Sequence, residues 1–240
     1  MKILSCLLLV ISSVYYAQDL YPLGKYNNII QHKYYTLSYS EEDEQAEWVY
    51  YELDTSQIKT SVERKDNFKT DPLIMTSSAQ LSDYKGSGYD RGHLAPSADM
   101  KHNEIAMSES FYMSNMSPQN PSFNRGIWKK IEKKIRDWTY LFGELLVITG
   151  PILDKDYLDV IGENEVSVPK WYYKVVMDLD NYERCIAFLI ENQKSSNSIK
   201  SFVVTIDQIE EKSGIDFFYQ LSDEVEDKIE STIAIDLWQW

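Results

Sequence analysis

Two segments of the sequence each contain a pair of strand-length apolar stretches joined by a polar turn. In "KWYYKVVMDLDNYERCIAFLI" (residues 170–190), aromatic and β-branched residues lie on both sides of a charged turn. In "KYYTLSYSEEDEQAEWVYYELD" (residues 33–54), two Tyr-rich pieces lie on both sides of an acidic loop. Paired segments of this kind form β-hairpins, which build antiparallel sheets. The chain is therefore expected to fold around a mostly antiparallel sheet.

The stretch "NRGIWKKIEKKIRDWTYLF" predicts an amphipathic helix. Its large apolar residues recur every three or four positions, the period of one helix face: Ile127, Ile131, Ile135 and Trp138. A further strand in "ELLVITGPIL", a short helix closed by a glycine in "SFVVTIDQIEEKSGIDFF" and an acid-rich helix in the tail follow it. The sequence shows no repeat or low-complexity linker. It predicts one α+β domain over residues 18–240, with helices flanking the sheet.

The first 17 residues have the organisation of a secretory signal peptide. Lys2 provides a positive start, residues 3–14 are apolar, and Ala17 is a small residue at a possible cleavage point. An N-terminal anchor and a buried strand are the alternatives. The run is short for a bilayer span, and no later stretch is longer, so no membrane partner is expected. The mature chain would keep only Cys185, which excludes an intramolecular disulfide, and would be secreted or periplasmic.

The net charge of −14 argues against a nucleic-acid partner, because phosphates are repelled by an acidic surface. The acids are concentrated, however, in residues 41–54 (seven acids and no bases) and 207–230 (nine acids and two bases). Residues 85–136 hold nine bases and five acids, so the middle of the chain is locally basic. Charges beyond about 10 Å are largely screened by salt. The total charge therefore does not exclude phosphate binding, although a solvated basic helix would look the same.

Three short motifs lie in this basic middle region: "DRGH" (residues 90–93), "SNMSPQ" (114–119) and "FNRGIW" (123–128), with Glu132 just beyond. Their order and spacing resemble the DNA/RNA non-specific endonucleases, a family of secreted and mitochondrial nucleases of the ββα-metal class. The resemblance implies a ββα-metal active-site motif. It also implies hydrolysis of phosphodiester bonds.

Two further segments extend the resemblance. "ERKDNFKTD" (residues 63–71) resembles the family's Arg-containing segment before the active site, and "VPKWYYKVV" (168–176) resembles its later core strand. The likeness covers roughly residues 50–218, most of the mature chain. It implies DNA, RNA or both as substrate.

His93 is the candidate general base. An imidazole with a pKa near ~6.5 is largely neutral at pH 7 and can take a proton from water. A hydrogen-bonded structural histidine is the alternative, and the surrounding "DRGH" favours catalysis. His32 is expected at the surface, and nothing assigns a role to His102. With three histidines and two cysteines in the whole chain, a zinc site is not expected.

The resemblance implies that Asn124 is the metal ligand. An amide oxygen is a hard, neutral donor that suits Mg²⁺, with Mn²⁺ as an alternative. The matching role of Glu132 is to hold metal-bound waters as an outer partner. Asn124 could instead cap a helix N-terminus, and Glu132 could pair with Arg136 four residues later.

Arg91 and Arg64 are candidates for binding phosphate oxygens, because guanidinium groups match them in a bidentate way. Arg64 could equally be an ordinary surface residue. Asn115 matches a family Asn that supports the site by hydrogen bonding, and its "NMS" glycosylation pattern is interpreted as accidental. Asp90 is expected to tether the loop.

Two acidic runs, "EEDE" (residues 41–44) and "DLD" (178–180), are interpreted as solvated turns rather than as a second metal site.

The resulting hypothesis is a secreted, Mg²⁺-dependent endonuclease that cuts DNA, RNA or both with little base specificity. A phosphodiesterase acting on small nucleotides is one alternative. A catalytically weak secreted nucleic-acid-binding protein is the other. The preference between DNA and RNA, and the oligomeric state, stay open.

Overall fold

The computed structural model describes residues 20–59, 61–76, 78–153 and 159–240. The predicted signal peptide, residues 1–17, lies outside these ranges. Among the helices of the described ranges, none has the length and apolar character needed to cross a bilayer.

Eleven strands are present in the described residues. They are β1 (Ile29–Gln31), β2 (Thr36–Ser40), β3 (Gln45–Leu53), β4 (Asp90–His93), β5 (Met116–Gln119), β6 (Leu145–Pro151), β7 (Asp159–Ile161), β8 (Val166–Val168), β9 (Trp171–Asp178), β10 (Asn181–Glu191) and β11 (Val203–Val204). Seven of them form one sheet in the order β1-β2-β3-β6-β9-β10-β11, in which each neighbouring pair is antiparallel. The predicted antiparallel sheet is confirmed, and the two predicted hairpins are its β2–β3 and β9–β10 pairs.

The helices lie on both sides of this sheet. They are α1 (Thr55–Lys59), α2 (Leu81–Tyr84), α3 (Glu104–Glu109), α4 (Pro121–Phe123), α5 (Lys129–Phe142), α6 (Ile206–Ser213) and α7 (Asp223–Ser231), with a π-helical turn at Asn124–Trp128 between α4 and α5. The predicted α+β class is confirmed. The glycine cap is also present, because Gly214 ends α6 in the left-handed conformation with φ 68°.

Two separate apolar cores cover the two faces of the sheet. Alternate residues of a strand point to opposite faces, so Tyr172 and Val176 of β9 belong to one core while Tyr173 and Val175 belong to the other. The first core receives the apolar stripe of α5 and of the turn before it, whose members are all buried: Ile127, Ile131, Ile135 and Trp138. The second core receives α6 and α7. The period read from the sequence thus orients α5 correctly.

A small ribbon stands outside the large sheet and leads into α5. Strands β4 and β5 pair antiparallel, with His93 opposite Met116 and Gly92 opposite Ser117. The chain then passes from β5 through α4 and the π-helical turn into α5. This strand–strand–helix order is the ββα arrangement that the resemblance implies.

Gly92 is required by the close packing of this ribbon. A Cβ atom on Gly92 would lie 2.1 Å from both Cδ and Oε1 of Gln119, the buried last residue of β5. A side chain at position 92 would therefore displace Gln119 or push β4 away from β5.

His32 is not at the surface as expected. It is 8 % exposed, and its Nε2 lies 2.8 Å from Oδ2 of buried Asp71, which also accepts a 2.5 Å hydrogen bond from Ser114. Asp71 keeps a lowered pKa because hydrogen bonds from His32 and Ser114 outweigh the effect of its burial. This network ties the N-terminal part of the chain to the segment that precedes β5.

The interpretation of the two acidic runs as solvated is wrong for Asp43 and Asp178. Asp43 is 2 % exposed and accepts hydrogen bonds from Ser40 and Ser167. Asp178 is 1 % exposed and pairs with Arg184. Both carboxylates hold turns in place from inside, where their hydrogen-bond and ion-pair partners compensate their burial.

We expect Gly92→Ala to lower the free energy of unfolding by about 1–3 kcal/mol, the usual cost of overpacking. Denaturant unfolding measures the loss. Adding Gln119→Ala should recover part of it, because the clashing side chain is removed. Equal losses from Gly92→Ala with and without Gln119→Ala would contradict the contact.

Candidate active site

A cleft of about 650 Å³ lies between the β4–β5 ribbon and the start of α5. Five of the six residues predicted from the sequence line it: Arg64, Arg91, His93, Asn124 and Glu132. The sixth, Asn115, does not line it. Segments that are distant in sequence are therefore brought to one surface.

His93 ends β4 with its ring in contact with two phenylalanines that also contact each other. The ring centroid lies 5.9 Å from that of Phe68 and 4.9 Å from that of Phe111. Its Nε2 is buried and has no hydrogen-bond partner among the described residues. Burial, and then the charges of Arg64 and Arg91, lower the pKa of His93 to about 3. The imidazole is therefore neutral at physiological pH, which is the form that can accept a proton.

Asn124 begins the π-helical turn, and its amide is held by Asp90. Asn124 Nδ2 donates to Asp90 Oδ2 at 3.0 Å, and Arg125 binds the same carboxylate at 2.5 and 2.8 Å. The amide oxygen of Asn124 accepts no hydrogen bond from the described residues and is available as a ligand. Asn124 is not a helix N-cap. That position belongs to Asn120, whose side chain accepts from the backbone N–H of Ser122.

The turn between Asn124 and α5 is not regular helix. Residues Asn124–Trp128 form a kinked turn in which Gly126 has the non-helical angles φ −103° and ψ −107°. The assumption that Asn124 and Glu132 lie along one regular helical stripe is therefore wrong. Both residues nevertheless line the cleft.

Glu132 lies in the first turn of α5, and its side chain is not paired with Arg136. Arg136 instead binds Asp99 at 2.6 Å, and the other oxygen of Asp99 accepts from Tyr51 at 2.9 Å. Burial raises the pKa of Glu132, and the nearby charge of Lys174 acts in the opposite direction. Because Arg136 is bound to Asp99, the Glu132 carboxylate is left for an occupant of the cleft.

Lys174 was missed from the sequence, because it lies inside the apolar run of β9. It is completely buried and points toward α5, with Nζ 3.1 Å from Thr149 Oγ1 and 4.4 Å from the ring centroid of Trp128. Nζ also lies 3.5 Å from the carbonyl oxygen of Leu94, which follows His93. Burial lowers the pKa of Lys174, and the charge of Glu132 opposes that shift. A single lysine in an otherwise apolar strand was the available signal.

The two arginines predicted to bind phosphate, Arg91 and Arg64, both line the cleft. Arg91 stacks over Phe68 at 4.2 Å and takes part in none of the ion pairs of the described residues. Arg64 is held by Asp66 at 2.7 Å and donates to Ser97 at 2.9 Å. The arrangement leaves Arg91 free to bind an anion, while Arg64 is oriented by its neighbours.

The cleft is positively charged although the chain is strongly acidic. It is lined by five basic side chains and three carboxylates: Arg64, Arg91, Arg125, Lys129 and Arg136, with Asp66, Asp90 and Glu132. Sequence reasoning did not assign Arg125, Lys129 or Arg136 to the site. Lys129 and Arg136 are three and four residues from Glu132, the helical spacing that could have shown a shared face.

Asn115 supports the site from behind. It is fully buried, donates to the carbonyl oxygens of Ala95 and Ser110, and accepts from the N–H of Ala95. Its backbone oxygen accepts from the N–H of Leu94. These bonds fix the chain directly after His93, which makes Asn115 a positioning residue. Its amide nitrogen is enclosed in the core, which agrees with the interpretation of its glycosylation pattern as accidental.

A two-stranded ribbon followed by a helix, with a neutral histidine and amide and carboxylate oxygens in a basic cleft, defines a nuclease of the ββα type. The family described as DNA/RNA non-specific endonuclease matches residues 16–224. The chain belongs to this family and is an endonuclease.

Proteins similar to this chain support its assignment to the family. Nuclease C1 of Cunninghamella echinulata var. echinulata is 34 % identical over 215 residues, covering 82 % of this chain and 85 % of that protein. A nuclease of Nostoc sp. is 33 % identical over 220 residues, covering 86 % of this chain and 79 % of that protein. A crystal structure of an EndoG/EndoGI complex contains a chain with a TM-score of 0.76 and 31 % identity, covering 86 % of this chain and 89 % of the other.

We expect the His93 imidazole to stay neutral from pH 5 to 8 in the metal-free protein, because its pKa is lowered to about 3. Its NMR chemical shifts should not titrate across that range. Arg91→Met should move the pKa of His93 upward, since a repelling charge is removed. A wild-type titration midpoint near ~6.5 would contradict the burial described for this ring.

Proposed function

We propose that the protein is a secreted, Mg²⁺-dependent endonuclease that cleaves DNA and RNA, with His93 as general base. The observation that carries the proposal is the meeting of neutral His93 with Asn124 and Glu132 in one basic cleft. Family membership supports the nuclease activity. The metal, the base and the location are our own assignments.

The donors in the cleft fit a hard divalent cation. The free amide oxygen of Asn124 and the carboxylate of Glu132 are the oxygen ligands that Mg²⁺ prefers, and Mn²⁺ accepts the same set. Bound there, the ion would supply positive charge to the scissile phosphate and its leaving oxygen. Asn124 would bind it directly, and Glu132 would hold its waters by hydrogen bonds.

The chain's own residues account for the remaining steps. His93 takes a proton from the attacking water, so that the new P–O bond forms as the bond to the leaving oxygen breaks. Arg91 and Arg64 bind non-bridging phosphate oxygens and neutralise the charge that develops on them. Asn115 keeps His93 in place through its bonds to residues 94 and 95.

The proposal expects broad substrate use. The cleft is lined mainly by charged side chains that suit phosphates, and phosphate contacts carry no sequence information. Such binding also weakens as salt is added, because counterions are released when phosphates are neutralised.

The first test is digestion of plasmid DNA, RNA and a mononucleotide ester with added Mg²⁺. We expect cutting of both polymers, loss of cutting in EDTA, and a fall of about 10²–10⁴-fold for His93→Ala, the usual contribution of a general base. His102→Ala is the control and should keep wild-type activity.

Four results would contradict the proposal. Cutting that persists in EDTA would show that no metal is required. Undiminished cutting by His93→Ala would show that His93 is not the general base. Turnover of the mononucleotide ester without cutting of either polymer would indicate a small-molecule phosphodiesterase. Binding of DNA without any product would indicate a protein that only binds nucleic acid.

The secretion part of the proposal rests on the charged, apolar and small-residue order of residues 1–17. Expression of the full chain in a Gram-negative bacterium should give processed protein in the periplasm or medium, with the new N-terminus near Ala17. A chain lacking residues 2–17 should stay in the cytoplasm. Unprocessed protein in the cytoplasm from both versions would reject secretion.

A further inference from the structure

A second group of carboxylates lies far from the cleft. Asp207 and Glu210 on α6 and Glu230 on α7 place carboxylate oxygens within 4.8 Å of one another. Helices α6 and α7 pack through Ile209 and Ile229 on the core that covers the other face of the sheet. The group is therefore separated from the cleft by the sheet itself.

The charges of this group are not neutralised by bases. None of the ion pairs among the described residues includes Asp207, Glu210 or Glu230. The basic residues of the two helices are used elsewhere. Lys228 pairs with Glu183 at 2.5 Å, and Lys212 lies 5.7 Å from the ring centroid of Trp171.

Glu230 is the member that most requires a partner. It is 7 % exposed, and its Oε1 is buried without a hydrogen bond. A buried carboxylate with no partner is costly, so such groups are normally paired, protonated or bound to a metal. Its pKa is raised to about 8, first by burial and then by surrounding acids. The groups that face it are Glu210 and Asp207 of α6, Asp216 of the following loop, Glu226 of α7 and Cys185 of β10.

We propose that Asp207, Glu210 and Glu230 form a Ca²⁺ site that joins α7 to α6. The three carboxylate oxygens lie within 4.8 Å of one another, and a Ca²⁺ ion bound to each at about 2.3–2.6 Å can span such a group. Ca²⁺ takes six to eight oxygen ligands, so water completes its shell.

The two ligands on α6 lie on a helix whose start is fixed, and one of their carboxylates is oriented before any ion binds. Glu210 Oε1 accepts a 2.8 Å hydrogen bond from the N–H of Phe217, which orients this carboxylate. Asp207 lies in the first turn of α6, which is held by the capping box of Thr205 and Gln208. The ion would add the carboxylate of α7 to this prepared pair. Its effect would be to stabilise the packing of α7.

The site is independent of the nuclease chemistry. Glu230 lies beyond residue 224, where the family match ends, and all three ligands lie outside the cleft. Failure of the proposed mechanism would leave this site untouched, and loss of this site should leave the cleft chemistry intact.

The test is thermal unfolding of full chain freed of metal, with and without CaCl₂. The background is Asn124→Ala, so that binding in the cleft does not contribute. At a hundredfold excess over the Kd we expect the midpoint to rise by about 5–10 °C. Glu230→Gln should abolish the rise, and its metal-free midpoint at pH 8 should equal or exceed that of the parent because a repelling charge is gone.

Glu211→Gln is the matched control, since it removes an exposed carboxylate of α6 that is not in the group. It should keep the full Ca²⁺ response. No rise with millimolar Ca²⁺, or an equal rise with Glu230→Gln, would overturn the proposal. Calorimetry of the Asn124→Ala protein should show one Ca²⁺ bound, and none after Glu230→Gln.

Discussion

The packing of α5 against the central sheet is the interaction on which the site depends. Ile131, Ile135 and Trp138 are buried against the sheet, and this fixes the rotation of the helix about its own axis. That rotation decides where Glu132 and Arg136 point. Glu132 is held at the border between core and cleft, with Lys174 of the sheet beneath it. The same apolar contacts that stabilise the fold therefore set the direction of the polar groups.

Charge is distributed so that an acidic protein can bind an acidic polymer. The five basic side chains of the cleft are gathered on one side of the sheet, whereas the acid-rich α6 and α7 lie on the other. Salt screens charges over about 10 Å. A phosphate in the cleft therefore responds mainly to its nearest guanidinium groups and little to the total of −14.

The sequence was informative wherever structure is local or periodic. The two hairpins and α5 follow from patterns within about 20 residues, and "DRGH" drew attention to His93, which lines the cleft. The missed features depend on partners distant in sequence. His32 contacts Asp71, Arg136 binds Asp99 instead of Glu132, and Lys174 is buried behind the cleft. No local pattern contains such pairings, because the fold alone decides which side chains meet.

The π-helical turn at Asn124–Trp128 makes chain length as important here as residue identity. Gly126 breaks the helical path inside this turn with non-helical angles, so the direction of Asn124 relative to α5 is set by the kink. Removing one residue from the turn would rotate everything before it by about 100° relative to α5. Asn124 would then face away from Glu132 with both side chains unchanged. An insertion or deletion in this stretch would therefore change the direction of Asn124 relative to Glu132. No substitution of a side chain could restore that direction.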